Sequence, residues 1–144
     1  MLLGTHKGLR LSARGVAVPP ALRPALELGF VITRGLDRCV VVFPHNVWAG
    51  VLQWIEQGPS FLVSNARSFQ RHIYGGASSG HLDADGRLGL PEDLRRYAEL
   101  GNEVVVVGVG TRLEIWNPER WHEVESRAVE RAEEVSEALS DYDI

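Results

Sequence analysis

The stretch His81–Arg96 reads HLDADGRLGLPEDLRR. Its first half brings Asp83, Asp85, Gly86 and Arg87 close together, a composition suited to a tight turn. Its second half alternates apolar residues, meets Pro91 and passes into a helical pattern. Upstream, residues 9–24 read LRLSARGVAVPPALRP and run through the same order without the two acids.

Aligning the two copies requires one gap beside Gly15. Val18-Pro19 then falls on Leu90-Pro91, Leu22-Arg23 on Leu94-Arg95, and Glu27-Leu28-Gly29 on Glu99-Leu100-Gly101. Further on, CVVVFPHNVW (39–48) matches RLEIWNPERW (112–121), with Phe43 on Trp116 and Trp48 on Trp121. Repetition on this scale implies a pseudo-symmetric unit in which neither half buries its apolar face alone.

Each copy predicts a short strand before the glycine turn (Leu9–Leu11; Gly80–Leu82) and another after it (Val16–Val18; Leu88–Leu90). A proline exit, a short helix (PPALRPALEL; PEDLRRYAEL) and a terminating glycine follow. Then come a β-branched strand (Phe30–Thr33; Val104–Val107), a glycine turn (Gly35; Gly108 and Gly110) and a closing strand (Val40–Phe43; Arg112–Trp116). About eight short strands with turns between them fit a small barrel. Two further helices follow the copies. NVWAGVLQWIEQ sets Val47, Val51, Trp54 and Ile55 on one face, and the run from Pro118 aligns Trp121, Val124, Ala128, Ala132, Val135 and Leu139. Asn117 is placed to cap the latter. Between the copies, NARSFQRHIY predicts a helix with Phe69 and Ile73 on one face and Arg67 and Arg71 on one side. GPS and GGASSG read as loops beside it, and ALSDYDI as a fraying terminus. The divisions are residues 1–54 (first unit with trailing helix), 55–79 (linker), 80–122 (second unit) and 118–140 (C-terminal amphipathic helix).

A chain of 144 residues suits one such domain. Cys39 is the single cysteine, so no internal disulfide and no cysteine-rich zinc site can form. The opening lacks a long apolar run and VVVVGVG is too short to span a bilayer; a cytoplasmic protein is expected. The net charge of −4 argues mildly against nucleic acid, but it is unevenly spread. Residues 1–74 hold eight basic and three acidic side chains, and residues 75–144 hold seven and sixteen. Such halves can face different partners.

Catalytic signals are weak. His6, His45, His72, His81 and His122 are scattered, without a pair at metal spacing. Asp83 and Asp85 could pass for paired carboxylates, yet on a turn they suit backbone N–H groups better. VGVG leads into a strand and not a phosphate-binding helix. No cofactor, metal or enzymatic activity is expected. Arg87 has two roles open to it: an ion pair with Asp83 that locks the hairpin, or projection into a nucleic-acid groove, where its planar fork suits phosphate and guanine edges. Arg95 and Arg96 fall on the solvated side of their helix. Trp48, Trp54, Trp121, Phe69 and Ile73 suit either core or interface.

LDADGRLGLPEDLR resembles the duplicated motif of the MraZ family, roughly LDxKGRxxxP, with Leu82, Asp83, Gly86, Arg87, Leu90, Pro91, Leu94 and Arg95 in register. FVITRGLDRCVVVFPHNVW, NARSFQRHIYGGA and RLEIWNPERW resemble other family segments in the right order, covering the chain to about Glu134. The resemblance implies a mainly β fold with helices (α+β): a duplicated AbrB-like, swapped-hairpin, double-split barrel. It further implies a bacterial transcription regulator of the division and cell-wall gene cluster. Such a protein would be nucleoid-associated and form a closed ring that binds direct repeats in double-stranded promoter DNA. By match, Arg87 and the region of Arg14 contact DNA, with Asp83, Gly86, Gly15 and Ser12 shaping the turns. The first copy departs from the pattern: Ser12 stands for the Asp, Arg14 for a Lys, and the Arg after Gly15 is missing. In the second copy Asp85 stands where Lys is usual. Lys7, Arg10 and Arg14 are then expected to pool charge on one edge. Two rivals are a protein-interaction ring without specific DNA reading and a monomeric antitoxin partnering a toxin.

Overall fold

The first strand of each copy is taken up by the other copy. In the computed structural model, which describes residues 1–58 and 62–140, β1 (Leu2–Ser12) pairs antiparallel with β7 (Glu103–Gly110). In the same way β5 (Ser78–Gly80) pairs with β3 (Phe30–Arg34). Two more ladders cross between copies: β2 (Gly15–Ala17) with β6 (Arg87–Leu88), and β4 (Val40–Pro44) with β8 (Leu113–Trp116). The resulting eight-stranded order is β5-β3-β4-β8-β7-β1-β2-β6. A backbone bond from Asp83 N–H to Arg87 C=O (3.0 Å) draws the ends together into a nearly closed, barrel-like sheet. The α+β class and the swapped architecture that the family resemblance implied are both present.

Period-two alternation explains what fills the barrel. Val104 and Val106 on β7, Leu113 and Ile115 on β8, Val40 and Val42 on β4 and Ile32 on β3 face one core with Leu2, Val16 and Leu88. Each such side chain contributes about 1.5–3 kcal/mol when fully buried. The intervening residues face outward. Cys39, Val105, Val107 and Trp116 are covered by Trp121 and Val124, from the first turns of α4 (Pro118–Ser140). On the opposite copy the outer face is covered by α1 (His45–Glu56) and α2 (Ser64–Gly75). The matched aromatics keep matched contacts: the rings of Phe43 and Trp48 lie 5.7 Å apart, and those of Trp116 and Trp121 lie 5.6 Å apart.

Several local expectations are corrected. PPALRPALEL forms two 3-10 turns, Pro20–Leu22 and Pro24–Leu26, because Pro24 has no N–H to continue an α-helical ladder. PEDLRRYAEL is helical only over α3 (Glu92–Tyr97). β1 begins at Leu2 rather than Leu9, and β5 covers Ser78–Gly80 where a loop was expected. Gly108 lies inside β7, not in a turn: a Cβ there would run into the Leu2–Leu3 backbone of β1. The α1 expectation holds, but Trp54 stands 69% exposed while Ile55 is buried. Asn117 caps α4 as expected, its Oδ1 accepting the N–H groups of Glu119 (2.9 Å) and Arg120 (3.2 Å). Part of the GPS loop and of the terminal ALSDYDI run lies outside the described residues.

Candidate nucleic-acid interface

The two glycine turns lie side by side because β2 and β6 pair with each other, Val16 opposite Leu88 and Ala17 opposite Arg87. Each turn is shaped by the side chain at its start. Asp83 Oδ1 accepts the N–H groups of Asp85 and Arg87, both at 2.9 Å. Ser12 does a reduced version of the same: its Oγ accepts the N–H of Arg14 (3.2 Å) and donates to the carbonyl of Gly15 (3.3 Å). The contact two residues ahead is kept in both copies. The contact four residues ahead is not, because the first turn is one residue shorter.

Both turns need glycine. Gly15 has φ +99° and Gly86 φ +75°, a region other residues resist. Gly15 also lies so close to the carbonyl of Leu88 that a Cβ would collide with it, and Gly86 is packed by the guanidinium of Arg23.

The ion pair left open for Arg87 is made by a different residue. Arg14 Nη2 lies 2.7 Å from Asp85 Oδ2 and 3.4 Å from Asp83 Oδ2, joining the turn tips. The bond and charge of Asp85 first, then the charge of Asp83, push the Arg14 guanidinium above its ordinary value. Asp83 is held below the usual carboxylate range. The Arg87 N–H contributes most, the Asp85 N–H and Arg14 add to it, and partial desolvation opposes. Asp83 therefore engages Arg87 through the backbone. The Arg87 side chain is half-buried, and its Nε is buried with no hydrogen-bond partner among the described residues.

Two arginines that sequence reasoning assigned to solvent or passed over brace the turns. Arg23 donates from Nε to the carbonyl of Val18 (2.7 Å), and Arg95 from Nε to that of Leu90 (2.8 Å). Arg95 also donates from Nη2 to the carbonyl of Ser12 (2.9 Å), so each arginine reaches the other copy's turn. The signal was the alignment of Leu22-Arg23 with Leu94-Arg95. Arg95 is thus half-buried, contrary to the solvated reading, while Arg96 is exposed beside Glu92 and Asp93.

Arg14 and Arg87 are therefore on adjacent turns at one end of the barrel. Arg10 is exposed on β1 opposite Glu103, two residues before Ser12. Lys7 lies farther along β1, its Nζ 3.5 Å from Glu125 of α4. Trp48, Trp121, Phe69 and Ile73 lie half-buried or buried against the outer faces of the sheet, and Trp54 stands at a rim. Among the described residues no three His, Cys, Asp or Glu are grouped to hold a metal. Burial pushes the Cys39 thiol up, away from the thiolate a nucleophile needs. No described helix is long and apolar enough to cross a membrane.

The family described as "MraZ protein, putative antitoxin-like" matches this chain over residues 73–142. A transcriptional regulator MraZ from Natranaerobius thermophilus is 40% identical over the whole of both chains. One from Moorella thermoacetica is 43% identical over 88% of each chain. One from Carboxydothermus hydrogenoformans is 41% identical over 99% of each.

Proposed function

Because the chain belongs to the MraZ family of transcriptional regulators, we propose that it regulates transcription by binding double-stranded promoter DNA through its paired glycine turns. The observation carrying this reading is the juxtaposition of the two turns by the β2–β6 ladder, with Arg14 and Arg87 on neighbouring loops. Arg87 is pre-positioned: Asp83 fixes its backbone, and its side chain leaves the turn half-buried. Phosphate contacts would set register, and the arginine fork would read base edges. Arg10 adds an exposed cation opposite Glu103, and Lys7 contributes only by leaving Glu125.

The proposed targets are short direct repeats upstream of division and cell-wall genes, read by a closed homo-oligomeric ring associated with the nucleoid in the cytoplasm. A ring repeats the turn pair at fixed spacing, so several DNA boxes engage together and raise effective concentration without new contacts. The activity is binding, with no catalytic step and no cofactor. The acidic outer face of α4 points to partners other than DNA.

A gel shift on the DNA upstream of its own gene, run across a salt series, tests this. Binding should weaken steeply with salt. Arg87→Ala should abolish the shift at unchanged assembly mass. A second reading, a protein-interaction ring without DNA reading, draws support from Arg14 being held by both Asp83 and Asp85. It is the right one if no promoter fragment shifts at low salt while the assembly is intact.

A further inference from the structure

The tips of the paired turns carry one cation and one anion. In the second turn the Gly86 N–H donates to the Asp83 carbonyl (3.0 Å), which leaves Ala84 and Asp85 as the central residues. In the first, Ser12 pairs with Gly15 across the hairpin, so Ala13 and Arg14 are central. All four are exposed. With alanine at the first central position of each turn, Arg14 and Asp85 are the tip residues with polar side chains.

Asp85 does not shape its own turn. Asp83 does so, its Oδ1 accepting the N–H groups of Asp85 and Arg87. The Asp85 side chain instead meets Arg14, whose Nη2 donates to Oδ2 at 2.7 Å, and it stays 65% exposed. Arg14 spends Nη2 on Asp85 and Asp83, and a guanidinium has three further N–H donors on Nε and Nη1. The tip therefore presents donors and an acceptor side by side.

An ionised carboxylate only accepts hydrogen bonds, and so do phosphate oxygens. On the base edges of the major groove the donors are the amino groups of cytosine N4 and adenine N6. Guanine O6 and N7 and thymine O4 are acceptors. A carboxylate at the tip of a DNA-reading turn thus weakens binding everywhere except opposite an amino group.

We propose that Asp85 is a specificity-determining residue: at one position of each DNA box it selects a base with a major-groove amino group, cytosine or adenine, and rejects guanine and thymine. Arg14 is its positioning partner, holding Oδ2 while Oδ1 is left to meet the base. The remaining Arg14 donors suit a neighbouring guanine or phosphate. The inference rests on DNA reading by the paired turns and names what one residue of that surface reads. Selection by rejection gives a carboxylate a place on such a surface: it lowers affinity for every sequence, and most for the wrong ones.

The test uses the full chain and fluorescence anisotropy at about 0.1 M salt, with the box upstream of its own gene and every single-base substitution of that box. The parent chain should prefer cytosine or adenine to guanine and thymine at one position by about fivefold or more, the cost of one mismatched base pair. Asp85→Asn should level that position to within about twofold, because an amide both donates and accepts, and should keep the preferences elsewhere. Asp85→Lys should reverse the preference towards guanine, whose O6 and N7 accept from an ammonium. The site is exposed, so thermal midpoint and mass in solution should be unchanged. A residue that only braced the two turns would change affinity for all boxes together and reverse nothing. The proposal alone is overturned if the parent binds its promoter and both variants keep its base preferences, whatever their overall affinity, or flatten all positions alike. If the parent shifts no promoter fragment at low salt, DNA reading fails and base selection with it, so the parent chain tells the two failures apart.

Discussion

Arg14 lies 2.7 Å from Asp85, so the tip of one copy's turn is tied to the tip of the other's. The two residues occupy equivalent positions in the repeat and carry opposite charges. Any phosphate approaching Arg14 meets the Asp85 carboxylate as well. Asp85 thus restrains the surface proposed to meet DNA.

Asp85→Asn should therefore tighten promoter binding by roughly two- to fivefold near 0.1 M salt, the scale of an exposed ion pair. Asp85→Lys should tighten it further and steepen the salt slope by about 1, as one added phosphate contact does. Fluorescence anisotropy over a salt series reads both. Unchanged affinity in both variants would mean that the turn tips do not meet DNA.

Asp83 gives a pH dependence of definite sign. Its folded value lies below the ordinary one, so its contribution to stability is complete above the unfolded value of about 3.9. That contribution shrinks as pH falls towards the folded value and is lost below it. Near neutral pH, stability therefore does not vary with pH through this group; in acid it does. Carboxyl-carbon NMR should place the Asp83 midpoint below about 3.9. Asp83→Asn should flatten the acid limb of the thermal midpoint. A midpoint at or above the ordinary value would show that the two N–H bonds are not made.

Two glycines that lie against each other should respond very differently to the same substitution. Gly15 combines φ +99° with direct approach to the Leu88 carbonyl, whereas Gly89 has open space where a Cβ would stand. Gly15→Ala should cost more than about 3 kcal/mol, because backbone strain and a backbone clash add. Gly89→Ala should stay within about 0.5 kcal/mol. Urea midpoints compare them, and similar values would refute the close approach of β2 to β6.

What was legible followed from local chemistry repeated twice. The aromatic matches, the capping Asn117 and the turn-forming Asp83 all read correctly, since each depends on neighbours within a few residues. What was not legible depended on the other copy. Leu2–Gly8 carries two glycines and little alternation, and it is a strand only because β7 supplies its partner. Gly108 resembles a turn residue until β1 is laid against it. Arg14 read as a free cation because its carboxylate partners lie 69 and 71 positions away. Arg95 read as a surface residue for the same reason, its second acceptor being Ser12 of the opposite copy.

That long-range role of Arg95 separates it from its repeat mate. Arg23 and Arg95 make the same bond to the strand end before their own helical turn, at 2.7 and 2.8 Å. Only Arg95 adds a bond to a carbonyl of the other turn. Hydrogen bonds involving a charged group contribute about 1.5–3 kcal/mol each when partly shielded. Arg23→Ala should therefore cost about 1.5 kcal/mol and Arg95→Ala about 1.5 kcal/mol more. Arg95→Lys should recover little, because a single ammonium cannot span the carbonyls of Leu90 and Ser12 as a planar fork does. Chemical denaturation gives the order, and mass in solution gives the control. Equal losses for the two alanine variants would mean that Arg95 does not bridge the copies.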